Sequence, residues 1–105
     1  MSDARIVLTT CPNHDSARKL AEAMVQSQLA ACVNLVAGVE SWYRWEGEVQ
    51  SDAEVQLIIK TEKNALDELF NLVLSIHPYD LPEWLIIAPD GGSQAYLEWI
   101  KSSLK

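Results

Sequence analysis

The sequence predicts an α+β fold, a split β-α-β sandwich carrying an over-long β-hairpin and a C-terminal helix. Three observations predict it. Apolar spacing alternates along the chain between the two-residue period of strands and the 3.6-residue period of helices. The elements so marked follow the order β-α-β-β-α-β plus one helix. The central pair of strands is also far longer than the usual five or six residues.

Arg5 to Cys11 is β-branched and apolar and stops at Pro12, which lacks a ladder donor and favours extended structure before it, so this segment is the first strand. Asn13 to Ser16 supplies capping side chains ahead of Ala17, Leu20, Ala21, Met24 and Gln28, one face of a helix running from about Asp15 to about Leu29. Cys32 to Val36 and Val39 to Trp45 form the outgoing arm of the hairpin, with Gly38 marking a bulge or bend. Glu46-Gly47-Glu48 is the turn and Glu54 to Lys60 the returning strand. Thr61 to Asn64 offers a cap for a second helix burying Leu66, Leu69, Phe70, Val73 and Ile76. His77 to Pro82 carries two prolines and is a loop, Glu83 to Ala88 is a short fourth strand, and Ser93 caps a last helix with Tyr96, Leu97, Ile100 and Leu104. This is the ferredoxin-like order, expected to occupy residues 1–105 as a single domain.

A hairpin of about fifteen residues per arm reaches about 50 Å, more than two helices can cover. The overhang holds Trp42, Tyr43 and Trp45, and such a strip left wet invites aggregation. A symmetric partner that receives it is the expectation; folding back onto the chain's own sheet is the alternative.

The chain of 105 residues is 49% apolar and carries a net charge of −7, so it can build a core but shows no basic patch for nucleic acid or anionic lipid. Its start lacks the pattern of a signal peptide, and no apolar run reaches the roughly 18 residues of a membrane span. With two cysteines and no C-x-x-C, a cytoplasmic setting is expected. No Ser-His-Asp order, Walker loop or dinucleotide fingerprint is present, so no enzyme is expected.

Six segments together resemble the CutA family over nearly the full length. They are Thr9-Thr10-Cys11-Pro12, Leu29 to Asn34, Ser41 to Gly47, Glu54 to Thr61, His77-Pro78-Tyr79 with Pro82-Glu83, and Tyr96-Leu97-Glu98-Trp99. The resemblance implies a homotrimer with a PII-like build, a connection to divalent-cation tolerance, and copper binding in some members. It also implies a ligand set of one first-strand cysteine and adjacent histidines ahead of the Pro-Tyr pair. This chain departs from that set: Thr9 stands at the cysteine position with Cys11 two residues on, and Ile76 precedes His77.

The soft donors are Cys11, Cys32, His14, His77, Met1 and Met24, none at a metal-ligand spacing. Cys11 and His77 both end elements beside prolines, which makes them the candidate pair for copper or another divalent cation. Their structural alternatives are a strand-end thiol and a helix-capping histidine. Cys32 reads as a small core residue and His14 as a surface one. Glu46 and Glu48 read as solvated turn carboxylates. Lys60, Tyr79 and Glu83 are candidates for a polar pocket between subunits that takes a small effector or a protein, with an interface salt bridge as the alternative for Lys60. Asp90-Gly91-Gly92-Ser93 is read as a turn and cap rather than an anion site.

Overall fold

The computed structural model describes residues 2–105; Met1, one of the candidate donors, lies outside them. Strands β1 (Ala4–Cys11), β2 (Cys32–Trp45), β3 (Glu48–Glu62) and β4 (Leu85–Ile87) form one antiparallel sheet in the order β2-β3-β1-β4. Helices α1 (His14–Gln26), α2 (Leu66–Ile76) and α3 (Gln94–Ser102) complete the predicted order. Val7, Thr9, Cys11, Leu57 and Ile59 point to the helices and are sealed there with Leu20, Met24, Leu69 and Val73.

Local chemistry moves several boundaries. Helix α1 ends three residues before the expected Leu29 because Gln28 turns left-handed, at φ 60°, letting Leu29 and Ala30 N–H groups return to the Met24 carbonyl. Glycine usually takes that position, since a side chain there crowds the backbone. Gln28→Gly is therefore expected to raise stability by about 1 kcal/mol, read as a higher denaturation midpoint. Thr61 does not cap α2. It closes β3 and its hydroxyl donates to the Leu29 carbonyl at 2.6 Å, while a 3-10 turn (Lys63–Ala65) leads into α2 without a side-chain cap. Ser93 caps α3 as expected, accepting from the Tyr96 N–H. Strand β4 is three residues long instead of six, pairing only with Ile6, Val7 and Leu8.

The hairpin is fully formed, with Trp45 opposite Glu48 at its tip and Glu46 and Gly47 both at positive φ, the signature of a type I′ turn. Residues 39–45 and 48–54 pair only with each other, a two-stranded arm about 23 Å long. At its root the ladder slips by one between Val36 and Val39, so that Ala37 and Gly38 stand against Val55 alone. Gly38 meets this bulge at φ 73°.

The slip reverses the numbering of the faces. Directly opposed residues share a face, so Cys32, Asn34 and Val36 lie with Lys60, Ile58 and Gln56 on the side away from the helices. Beyond the bulge, the odd-numbered Val39, Ser41, Tyr43 and Trp45 take that side. Trp42 points the opposite way, so the three aromatics expected to form one strip divide between two faces.

Candidate functional site

The end of β1, the loop after α2 and the base of the arm meet at one place, and His77 joins them. The ring is buried. Its Nδ1 accepts the Tyr79 backbone N–H at 3.0 Å, so the proton sits on Nε2, which donates to the Thr10 carbonyl at 2.8 Å. Cys11 Sγ lies 3.8 Å from the same Nε2. The two candidate metal residues are thus brought together, 66 positions apart in sequence.

Their chemistry does not fit a metal. A neutral imidazole coordinates through a bare nitrogen, and here one nitrogen is protonated and the other already accepts. A cysteine coordinates as thiolate. Burial pushes the Cys11 thiol up, and nearby Glu54 adds to this while Ser16 opposes it. Among the described residues no group of three or more His, Cys, Asp or Glu side chains is placed to hold an ion. Met24 is sealed in the core, and His14 is exposed as expected.

From His77 the loop carries Tyr79 to the arm, where its hydroxyl donates to Glu54 Oε2 at 2.8 Å. Burial raises the phenol well above the ordinary tyrosine range, reinforced by the bond to Glu54 and by the charges of Glu54 and Asp52. Tyr43 extends the cluster: its hydroxyl donates to Asp52, and this bond is the main cause of its raised pKa. Glu83 is pushed up by partial loss of solvent around its carboxyl and by Glu54, although the residue as a whole stays exposed.

Unfolding frees Tyr79 to ionise near its ordinary value of about 10, below its folded value. Stability is therefore full below that pH and is lost as pH climbs toward the folded value. Glu54→Gln removes the carboxylate that reinforces burial in keeping the phenol neutral, and the alkaline loss of stability is expected to become shallower. Denaturation midpoints taken across pH 9–12 (roughly that window) check this, and an unchanged slope would contradict it.

Lys60 is not part of this cluster within one chain. Its ammonium donates to Asn34 Oδ1 and lies 4.0 Å from Cys32 Sγ, six residues along β3 from Glu54, or about 20 Å. Cys32 is accordingly half-buried beside a lysine on the open face, not a core residue. Two surface concavities, one of about 210 Å³ between α3 and the start of α2 and one between α1 and Pro78, are not lined by Tyr79, Glu83 or Lys60.

Reading from sequence missed the open face of the sheet. Ile6 and Leu8 share it with their opposed partners Ile87 and Leu85, and Ile58 and Val36 join them. Leu85 is 57% exposed, and Ile87 and Val36 are 41% exposed. The signal was present: RIVLTT, QLIIK and LII are apolar at consecutive positions, as in strands covered on both faces.

A family model described as CutA1 divalent ion tolerance protein matches residues 5–103. "Protein CutA, chloroplastic" of Arabidopsis thaliana is 50% identical over 100 residues, covering 95% of this chain and 55% of that protein. The rice relative "Protein CutA 1, chloroplastic" is similarly covered at 56%, so the chain spans little over half the length of these two plant relatives. "Divalent-cation tolerance protein CutA" of Thermus thermophilus is 42% identical, with 93% of this chain and 95% of that one covered. Among solved structures, a Thermus thermophilus divalent cation tolerance protein superposes with TM-score 0.95 at 40% identity, over 97% of this chain and 99% of that chain. CutA from Xylella fastidiosa superposes at 0.96 with 36% identity, over 99% of this chain and 100% of that one. One relative is named periplasmic and others chloroplastic, so the compartment varies between them. The family model, identities up to 50% and near-complete superposition agree with the segments read from sequence, and the chain belongs to the CutA1 divalent ion tolerance family.

Proposed function

We propose that the chain acts in divalent-cation tolerance as a homotrimeric, PII-like module whose clefts between subunits hold a small effector or a partner protein. The observation that carries this reading is the open face. Ile6, Leu8, Val36, Ile58, Leu85 and Ile87 form an apolar surface on the same face as Tyr43 and Trp45 of the arm, with Glu54 and Asp52 between them. The sheet also ends in two unpaired edges, β2 and β4, each able to extend a neighbour's sheet. Distinct edges pair head to tail, and a head-to-tail contact that closes makes a ring. The Tyr79–Glu54–Glu83 cluster lies at the root of the arm, where such a neighbour would wall it in, and a neighbour is also the route by which Lys60 would reach it. Light scattering after size exclusion is expected to give about 35 kDa for three copies of the 11.7 kDa chain. A mass of one subunit would overturn the proposal. Effectors are sought by thermal melting: a ligand that raises the melting point of wild type but not of Tyr79→Ala or Glu83→Gln would place it in the cleft.

Direct binding of copper or another divalent cation is the second reading; it would require the Cys11–His77 pair, 3.8 Å apart, to exchange its present hydrogen bonds for the ion. A cytoplasmic setting suits both readings, because Cys11 and Cys32 are free thiols. Among the described residues no helix is long and apolar enough to cross a membrane.

A further inference from the structure

We infer that the Cys11–His77 pair is a closed latch rather than a metal site: His77 is a positioning residue that ties the loop after α2 to the end of β1 and so delivers the Tyr79 hydroxyl to Glu54. Both ring nitrogens are already engaged. Nε2–H is directed at the Thr10 carbonyl, with Cys11 Sγ alongside, and Nδ1 holds the Tyr79 N–H. To bind an ion through Nδ1, the ring would release the Tyr79 backbone. To bind through Nε2, it would lose its proton and leave the buried Thr10 carbonyl without this donor. Either exchange breaks a buried hydrogen bond, and such a loss leaves a desolvated polar group behind. A neighbouring subunit adds donors from outside but does not free either nitrogen.

The latch is short and mechanical. Only Pro78 stands between His77 and Tyr79, and it fixes its own φ, so orienting the ring also sets the direction in which the Tyr79 side chain leaves. The rings of His77 and Tyr79 lie 5.1 Å apart between centroids, tilted by 49°, which packs the phenol against its own anchor. The tyrosine then spans to β3 and bonds Glu54. Ile76, where the resemblance places a second histidine, is 46% exposed and carries no donor. Thr9 is completely buried and faces the helices. The ligand set implied by the resemblance thus lacks a donor at position 76 and meets core packing at Thr9.

Two measurements on the full chain test the latch. Long-range ¹H–¹⁵N spectra of the imidazoles are expected to show His77 protonated at Nε2, with signals unmoved by one equivalent of Zn(II) or of Cu(I) supplied as its acetonitrile complex. Calorimetric uptake of either ion is expected to be the same in wild type, Cys11→Ser and Cys11→Ala. A metal-dependent shift at His77, or loss of a stoichiometric site in both Cys11 variants, would overturn the inference. Phenol absorbance across alkaline pH reads the positioning role. His77→Ala is expected to bring one more tyrosine closer to ordinary titration, as is Glu54→Gln, and His77→Asn, which keeps an acceptor near the Nδ1 position, to restore part of the delay. Tyrosine titration unchanged in a folded His77→Ala protein would show that the ring does not position Tyr79.

Discussion

Trp45→Glu is expected to drop the solution mass from about 35 kDa, that of the proposed trimer, toward the 11.7 kDa of a single chain. Trp45 is 50% exposed and lies with Tyr43 on the side of the arm that carries the apolar open face of the sheet. Burying a large side chain of this kind contributes roughly 1.5–3 kcal/mol, and a carboxylate put in its place without a partner costs several more. In the proposed trimer the loss would recur at every interface, so one substitution would remove on the order of 10 kcal/mol from the assembly. Trp42→Glu makes the internal control. The Trp42 indole is 67% exposed and points to the other face, its Nε1–H donating to Glu40 at 2.6 Å. If the open face forms the interface, Trp42→Glu retains much more of the high mass than Trp45→Glu. The reverse ranking would place the interface on the helix side of the arm, and insensitivity to both would remove the arm from it.

Thr9→Val is expected to stabilise the fold by about 1–3 kcal/mol. Thr9 is completely buried between Val7 and Cys11 on the helix-facing side of β1, opposite Leu57. Its hydroxyl oxygen is the one buried side-chain nitrogen or oxygen among the described residues that lacks a hydrogen-bond partner. Valine has nearly the same shape and a higher strand preference, and it removes the desolvated hydroxyl. For a domain near this size, each kcal/mol moves the melting point by about 4–8 °C. Urea midpoints compared at one fixed protein concentration separate this from any change in association. A lower midpoint for Thr9→Val would mean that the hydroxyl serves the core in some way that its geometry here does not reveal.

The order of elements was legible because strand and helix periods differ, and because Pro12, Pro78 and Pro82 punctuate the chain. The union of Cys11 with His77 was legible too, since both close elements that the split β-α-β topology returns to one end of the sheet. What they do together was not. That depends on which nitrogen carries the proton, and two backbone groups from distant segments decide it. The left-handed turn at Gln28 was hidden because glutamine carries no turn signal and helical spacing continues through it. Lys60 was grouped with Tyr79 and Glu83 because spacing along a strand says which face a residue takes, not how far along the sheet its partners lie. That Trp42 parts from Tyr43 and Trp45 follows from strand alternation alone, but which of them takes the open face needed the extra residue at the bulge to be counted.

That bulge makes Gly38 a remote selector. Were β2 to run straight past it, Trp42 would exchange sides with Tyr43 and Trp45, and the tip would close one residue out of step. A side chain at position 38 resists the left-handed backbone by about 1–2 kcal/mol, so a glycine at the root of the arm biases which face each aromatic ring takes. The identity of the rings is written at the far end, and their orientation is written at the root.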